Sequence, residues 1–135
     1  PGETDEDFEA LLALLEEVRF DRVGAFGYSK EEGTRAADMA EQVPDAVKRE
    51  RLERLLEVQA GISLERNERH VGRTMRVLVD RVEADGTAVG RTAGQALEVD
   101  GVTVLRGATA CAPGAMIDAR VIDALEEDLI AEVVA

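Results

Sequence analysis

Hydrophobic positions divide the chain into a helical first half and a strand-rich second half. In the first half, apolar residues recur every three or four positions, which predicts an amphipathic helix that begins near Asp5. Thr4 suits the N-cap of this helix, and acidic residues occupy its first turn. We expect the apolar face to pack against a sheet. Its residues are Phe8, Leu11, Leu12, Leu15 and Val18.

Residues 21–28 are short, mostly apolar and glycine-containing, which is typical of a buried parallel strand. Residues 29–33 then form a polar loop, and residues 34–41 are expected to hold a short helical turn. A helix followed by a strand is half of a βαβ unit, whose first strand would lie before Pro1. We therefore expect the chain, which opens on Pro1 rather than on Met, to be part of a longer protein.

A long charged helix is predicted over residues 44–69. Pro44 suits its first position, because the missing N–H would have had no partner there. Gly61 is expected to mark a bend. Because the heptads are not sustained, the pattern favours an ordinary amphipathic helix over a coiled coil. The apolar positions that fall on one side of it are Val47, Leu52, Leu55, Leu56, Val58 and Ile62.

Beyond the long helix the hydrophobic period changes from helical to alternating. Five short strands separated by turns predict a small closed or partly open barrel, because closure removes the exposed edges of a sheet. The fold class is therefore α+β, with helices followed by a five-stranded antiparallel barrel of OB-like type. The predicted strands cover residues 73–81, 88–92, 99–105, 115–122 and 129–134.

Charge and composition narrow the choice of partners. The chain has 16 basic and 29 acidic residues and a net charge of -13. Nucleic-acid binding usually needs a basic surface, so we expect a basic protein as the main partner rather than RNA. No apolar run reaches the length that crosses a bilayer, so we expect a cytoplasmic protein without a membrane partner.

No complete catalytic constellation occurs in the sequence. Acidic pairs such as those at 31–32 and 126–127 follow from composition and favour a solvated face. Cys111 is the only cysteine and His70 the only histidine, so no Cys/His metal site is predicted. We expect Cys111 to be a packed or turn residue and His70 to be a junction or surface residue.

The chain resembles the later part of the radical S-adenosylmethionine (SAM) methylthiotransferases. This likeness is carried by PGETDEDFEALLALLEEVRFDRVGAFGYSKEEGTRAADMAEQVPDAVKRERLERLLEVQ, at residues 1–59. GISLERNERHVGRTMRVLVD, at residues 61–80, is similar to their entry into a terminal TRAM barrel. The resemblance implies a barrel remnant at 1–43, a linking helix at 44–69 and a TRAM barrel at 70–135.

Two branches of that family differ in substrate. One modifies an adenosine of tRNA, and the RimO branch modifies an aspartate of ribosomal protein S12. Two stretches are similar to the RimO pattern: FDRVGAFGYSKEEGT at residues 20–34 and VGRTAGQALEVDGVTVL at residues 89–105. The acidic charge agrees with a basic protein substrate. The tRNA branch, with TRAM as an RNA-binding module, is the alternative, and an interaction domain without an enzyme is a third hypothesis. Arg35 replaces a common proline, and AGQA at 93–96 departs from the usual stretch.

The resemblance implies a full-length enzyme that uses SAM and two 4Fe-4S clusters. Its cysteine triplet does not occur here and Cys111 matches none of those cysteines, so no catalytic residue, metal ligand or bound cofactor is expected in this piece, which would be inactive alone. The expected partners are S12 and, through the exposed barrel remnant, a second copy of the chain. The site residues implied are Pro1, Gly2 and Glu3 at the SAM-side rim, and Arg91, Thr92, Glu98 and Asp100 for substrate binding.

Overall fold

The computed structural model describes residues 1–108 and 111–134, which form two compact units, Pro1–Ile62 and Ser63–Ala135. The helices are α1 (Asp5–Val18), α2 (Arg35–Asp38) and α3 (Asp45–Glu68). The strands are β1 (Thr74–Val82), β2 (Ala88–Arg91), β3 (Thr103–Arg106), β4 (Met116–Ala124) and β5 (Leu129–Val133). No helix in the described part of the chain combines the length and apolar character that crossing a bilayer requires.

Helix α1 begins where the sequence predicted, because Thr4 and Asp7 form a capping box. The hydroxyl of Thr4 accepts a hydrogen bond from the Asp7 N–H at 3.1 Å, and the Asp7 carboxylate accepts one from the Thr4 N–H at 2.9 Å. These bonds satisfy two N–H groups that the helix itself leaves without partners. The helix ends at Val18, and its C-cap residue Arg19 adopts a left-handed conformation with φ 55°.

The apolar face of α1 packs against α3 and not against a sheet. Phe8, Leu12 and Leu15 form a buried cluster with Leu55 and Ile62. The expectation of a sheet partner was therefore wrong. The long helix supplies the apolar surface instead, although not every apolar position of its sequence pattern is buried: Leu56, for example, stays 43% exposed.

The strand predicted over residues 21–28 is absent. Val23 and Ala25 pack against the α1–α3 cluster, but Phe26 is 95% exposed, and the segment has no regular secondary structure. A strand is held by hydrogen bonds to a neighbouring strand. Every strand pairing in the described chain belongs to the barrel. Residues 21–28 therefore have no neighbouring strand among the described residues with which to pair.

Helix α3 begins one residue after Pro44, whose carbonyl accepts a hydrogen bond from the Lys48 N–H at 3.0 Å. The helix continues through Gly61 to Glu68. Its inner side also carries polar residues at every fourth position, which the sequence pattern did not reveal. These buried residues are Gln59, Ser63 and Asn67.

The five strands close into a barrel in the order β1-β2-β3-β5-β4. This confirms the predicted five-stranded, OB-like barrel after a helical region. Four neighbouring pairs are antiparallel, but β3 and β5 run parallel, so the all-antiparallel description fails for that pair. A parallel pair needs a long connection, and β4 lies between β3 and β5 in sequence.

The barrel interior is filled by small and medium apolar side chains from alternate strand positions. Gly90 lies directly against β1, and a Cβ there would collide with the Leu78 carbonyl. Strand β3 starts at Thr103 and not at Val99, since Val99 lies in a turn and residues 100–102 are not part of a strand. The largest fully buried side chains are Leu105, Val77, Val79, Val121 and Thr103.

Candidate functional site

Two loops meet at one end of the barrel. Loop 92–102 joins β2 to β3, and loop 125–128 joins β4 to β5. Strand register places them together: Gly90 pairs with Thr103, Thr103 pairs with Leu129, and Leu129 pairs with Ala124. The four predicted substrate-binding positions belong to this region, so its construction decides which side chains face outward.

A buried amide holds the base of loop 92–102. The Oε1 of Gln95 accepts hydrogen bonds from the Thr92 N–H at 2.9 Å, the Thr92 hydroxyl at 3.2 Å and the Thr103 hydroxyl at 2.7 Å. All three residues are buried. The Nε2 of Gln95 is buried too and makes no hydrogen bond with the described residues. These three hydrogen bonds to the Gln95 Oε1 fix the orientation of the amide and connect the loop to Thr103, the first residue of β3.

A second set of bonds closes the tip of the loop. The Asp100 carboxylate accepts a hydrogen bond from the Ala96 N–H at 2.8 Å, and the Asp100 N–H donates to the Ala96 carbonyl at 3.1 Å. Glu98, at the middle of the tip, has a left-handed backbone with φ 62°. The tip projects Leu97, Glu98 and Val99 into solvent, and Val99 is 82% exposed.

The two loops are joined by hydrogen bonds and by close backbone packing. The Val102 N–H donates to the Asp128 carboxylate at 2.7 Å, and the Leu129 N–H donates to the Val102 carbonyl at 2.9 Å. Gly101 lies directly against the Glu127 carbonyl. The geometry leaves no room for a side chain at Gly101, so glycine there permits the close approach.

The carboxyl-terminal end of α3 is hydrogen-bonded to loop 125–128. The amide of Asn67 donates to the Leu125 carbonyl at 2.8 Å and to the Glu126 carbonyl at 3.2 Å. Asn67 is only 6% exposed. Sequence reasoning missed both Asn67 and Gln95. The available signal for Asn67 was the spacing of polar residues along α3, where Gln59, Ser63 and Asn67 share one side of the helix.

A separate cavity of about 170 Å³ lies within the unit Pro1–Ile62. Pro1 and Glu3 line it, together with apolar side chains from α1 and α3. Arg51 binds the Glu3 carboxylate and the Asp5 carboxylate, each at 2.6 Å. The hydrogen bond to Asp5, followed by that to Glu3, raises the pKa of Arg51 against the opposing effect of burial. Gly2 lies beside the cavity residues and donates its N–H to the Glu41 carbonyl at 2.9 Å.

Comparison with known proteins identifies the barrel. Residues 71–134 match the TRAM domain family. This segment is a TRAM domain. The whole chain is also similar to curated ribosomal protein uS12 methylthiotransferases named RimO, which confirms the resemblance to the carboxyl-terminal part of that family.

The match to RimO relatives runs through both units. The Shewanella amazonensis protein is 49% identical over 135 residues, which is all of this chain and 28% of the relative. The relative from Anaeromyxobacter sp. (strain K) is 49% identical over 137 residues, covering 100% of this chain and 29% of its own length. That from Methylobacillus flagellatus is 47% identical over 129 residues, covering 96% and 29%. The chain thus spans less than a third of the curated relatives it matches.

Three of the four predicted substrate-binding side chains contact other residues of the TRAM domain. Thr92 bonds to Gln95, and Asp100 closes the loop tip. Arg91 lies with its Nε 3.6 Å from the Asp80 carboxylate, and both side chains are largely buried. Glu98 alone of the four combines an exposed position with a place at the middle of the loop tip. A direct contact between these residues and a substrate stays a prediction.

The described residues do not offer the ligands of an iron–sulfur cluster. Clusters are held by several cysteine thiolates, and Cys111 is the single cysteine. Across residues 1–108 and 111–134, no group of three His, Cys, Asp or Glu side chains could hold a metal ion. Cys111 instead packs against the TRAM core, as a small apolar residue would.

The cavity beside Pro1 does not enclose a molecule of SAM with this chain's residues alone. Its volume of about 170 Å³ falls below the roughly 300 Å³ that small-molecule sites usually reach. The Glu3 carboxylate is already bound by Arg51. Pro1, Gly2 and Glu3 therefore stay predicted as part of a rim and not as a complete pocket.

Proposed function

We propose that this chain is the carboxyl-terminal part of an enzyme that methylthiolates an aspartate of ribosomal protein uS12. The supporting observation is 47–49% identity to RimO relatives across the helical unit as well as the TRAM domain. A shared TRAM domain alone would support only a shared binding module. Identity over both units supports descent from the whole enzyme.

In this proposal, SAM and two 4Fe-4S clusters supply the radical chemistry of the full-length enzyme. The described residues of this chain provide neither cluster ligands nor an enclosed SAM pocket, so the contribution proposed for them is structural and substrate-binding. The helical unit would complete the wall beside the SAM-side rim at Pro1, Gly2 and Glu3. We expect the chain on its own to be catalytically inactive.

The TRAM domain, in the same proposal, binds and orients the protein substrate. The whole chain has a net charge of -13, and residues 71–134 alone hold 11 acidic and 6 basic residues. This acidic balance attracts a basic ribosomal protein and repels the phosphate backbone of RNA. The aromatic side chains offer little surface for stacking on bases, since the chain has three Phe, one Tyr and no Trp. Both features favour a protein substrate over tRNA.

Titration of this chain with purified uS12 and with tRNA, repeated over a range of salt concentrations, tests the proposal. We expect measurable binding of uS12 that weakens as salt screens the attraction. Binding of tRNA should be weaker at every salt concentration. Tight tRNA binding with a steep salt dependence would overturn the proposal in favour of a TRAM module that serves a tRNA methylthiotransferase.

A further inference from the structure

We propose that the two loops at the end of the TRAM domain form the docking surface for a basic, partly apolar segment of the protein substrate. This inference rests on the proposed function and specifies where on the barrel the partner binds. We call this region the loop-end surface. It consists of Leu97, Glu98, Val99, Leu125, Glu126 and Glu127.

The loop-end surface displays apolar side chains that the barrel does not use. Val99 is 82% exposed, Leu97 52% and Leu125 50%. A single exposed apolar residue is ordinary on a protein surface, but these three belong to two loops whose backbones touch at Gly101 and Glu127. Covering them with a partner would remove apolar area from water.

The charge of this surface selects the kind of partner. Glu98, Glu126 and Glu127 are all exposed, and neither loop 92–102 nor loop 125–128 contains a lysine or arginine. Carboxylates around apolar side chains complement a segment in which lysine or arginine flanks apolar residues. The same carboxylates repel nucleic acid, so the local charge points to a protein segment and not to RNA.

Hydrogen bonds within the barrel also support the two loops of the loop-end surface. Gln95 fixes the base of loop 92–102, Asp100 closes its tip, and Asn67 supports the neighbouring loop. Glu98 keeps a left-handed backbone that non-glycine residues rarely adopt, and such conformations persist where the surrounding structure imposes them. A rigid surface loses little conformational freedom on binding, which favours affinity.

The test compares two variants of this chain that lose the same three negative charges. The first carries Glu98→Gln, Glu126→Gln and Glu127→Gln at the loop-end surface. The matched control carries Glu83→Gln, Asp85→Asn and Glu132→Gln, which lie elsewhere on the barrel. Binding of purified uS12 at low salt should weaken about tenfold or more in the first variant and about twofold or less in the control.

A second pair of variants tests the apolar part of the surface. Val99→Ser should weaken uS12 binding about fivefold or more, whereas Met116→Ser, at another exposed apolar position, should leave it within about twofold. Urea unfolding of every variant establishes that each remains folded, which separates lost docking from lost structure.

The outcomes distinguish this inference from the proposed function. If the unaltered chain binds no uS12, the proposed substrate-binding role fails. If the unaltered chain binds uS12 and both charge variants weaken equally, net charge alone accounts for binding and the loop-end surface is overturned as the docking site. Unchanged binding by the loop variant, or stronger binding of tRNA by the unaltered chain, would also overturn it.

Discussion

At the scale of single residues, Gly101 is the position where a side chain would most disturb the contact between the two barrel-end loops. A Cβ there would collide with the Glu127 carbonyl and approach the Asp128 carboxylate. Because the obstacle is backbone, it cannot rotate away. We expect Gly101→Ala to lower the free energy of unfolding by about 1–3 kcal/mol, measured by urea unfolding.

Gly94→Ala is the matched control, since Gly94 lies in the same loop and a Cβ there would have no atom within 4 Å. We expect that change to alter stability by less than about 1 kcal/mol. Equal losses from both substitutions would show that the approach of the two loops at Gly101 is not the cause.

Residue patterns in the sequence located the loop but not the direction of its side chains. Arg91, Thr92, Glu98 and Asp100 were expected to bind substrate, and of these four only Glu98 is exposed in the loop. Thr92 directs its hydroxyl to Gln95, and Asp100 directs its carboxylate to Ala96. Whether a polar side chain faces inward depends on a partner brought close by folding, and a linear pattern does not contain that information.

At the scale of secondary-structure elements, the capping box of α1 makes helix stability depend on pH. Hydrogen bonds from the Thr4 N–H and then from the Thr4 hydroxyl lower the pKa of Asp7 below its ordinary value of 3.8. A lowered folded-state pKa means that the stabilisation is present above the ordinary value and is lost as pH falls through the folded value. The cap should therefore weaken only in strongly acidic solution.

We expect Asp7→Asn to destabilise the chain near neutral pH and to have a smaller effect in acid, where the native carboxyl is itself protonated. Urea unfolding followed by circular dichroism, repeated from about pH 7 down into strongly acidic solution, measures the difference. Glu6→Gln is the control, because Glu6 shares the first turn without taking part in the capping box. A difference that does not change with pH would contradict the role of Asp7 as a charged cap.

The elements themselves were predicted unevenly, for a physical reason. The cap at Thr4, the long helix and the five strands depend on local spacing, and all of these elements form, most of them close to their expected bounds. Residues 21–28 have an apolar composition that suits a strand, but a strand also needs a neighbour to bond with. Local sequence shows the apolar composition of a segment but does not show whether a neighbouring strand is available.

At the scale of the whole molecule, the compact unit that contains the barrel starts before the TRAM match does. The unit begins at Ser63, whereas similarity to the TRAM family begins at residue 71. The intervening segment includes Asn67, whose amide bonds to two carbonyls of loop 125–128. The end of α3 therefore belongs to the structure of the barrel, although the family match does not include it.

We expect the segment 63–135 to fold alone and to be more stable than the segment 71–135 by about 1–3 kcal/mol, because removing a buried donor leaves its acceptors without a partner. Urea unfolding of the two segments measures this difference. Within 63–135, Asn67→Ala should reproduce much of the loss, whereas Glu68→Ala, at an exposed neighbour, should change little. Equal stability of the two segments would show that the barrel needs only the residues matched by the family, and that the bonds from Asn67 hold the end of the helix and not the loop.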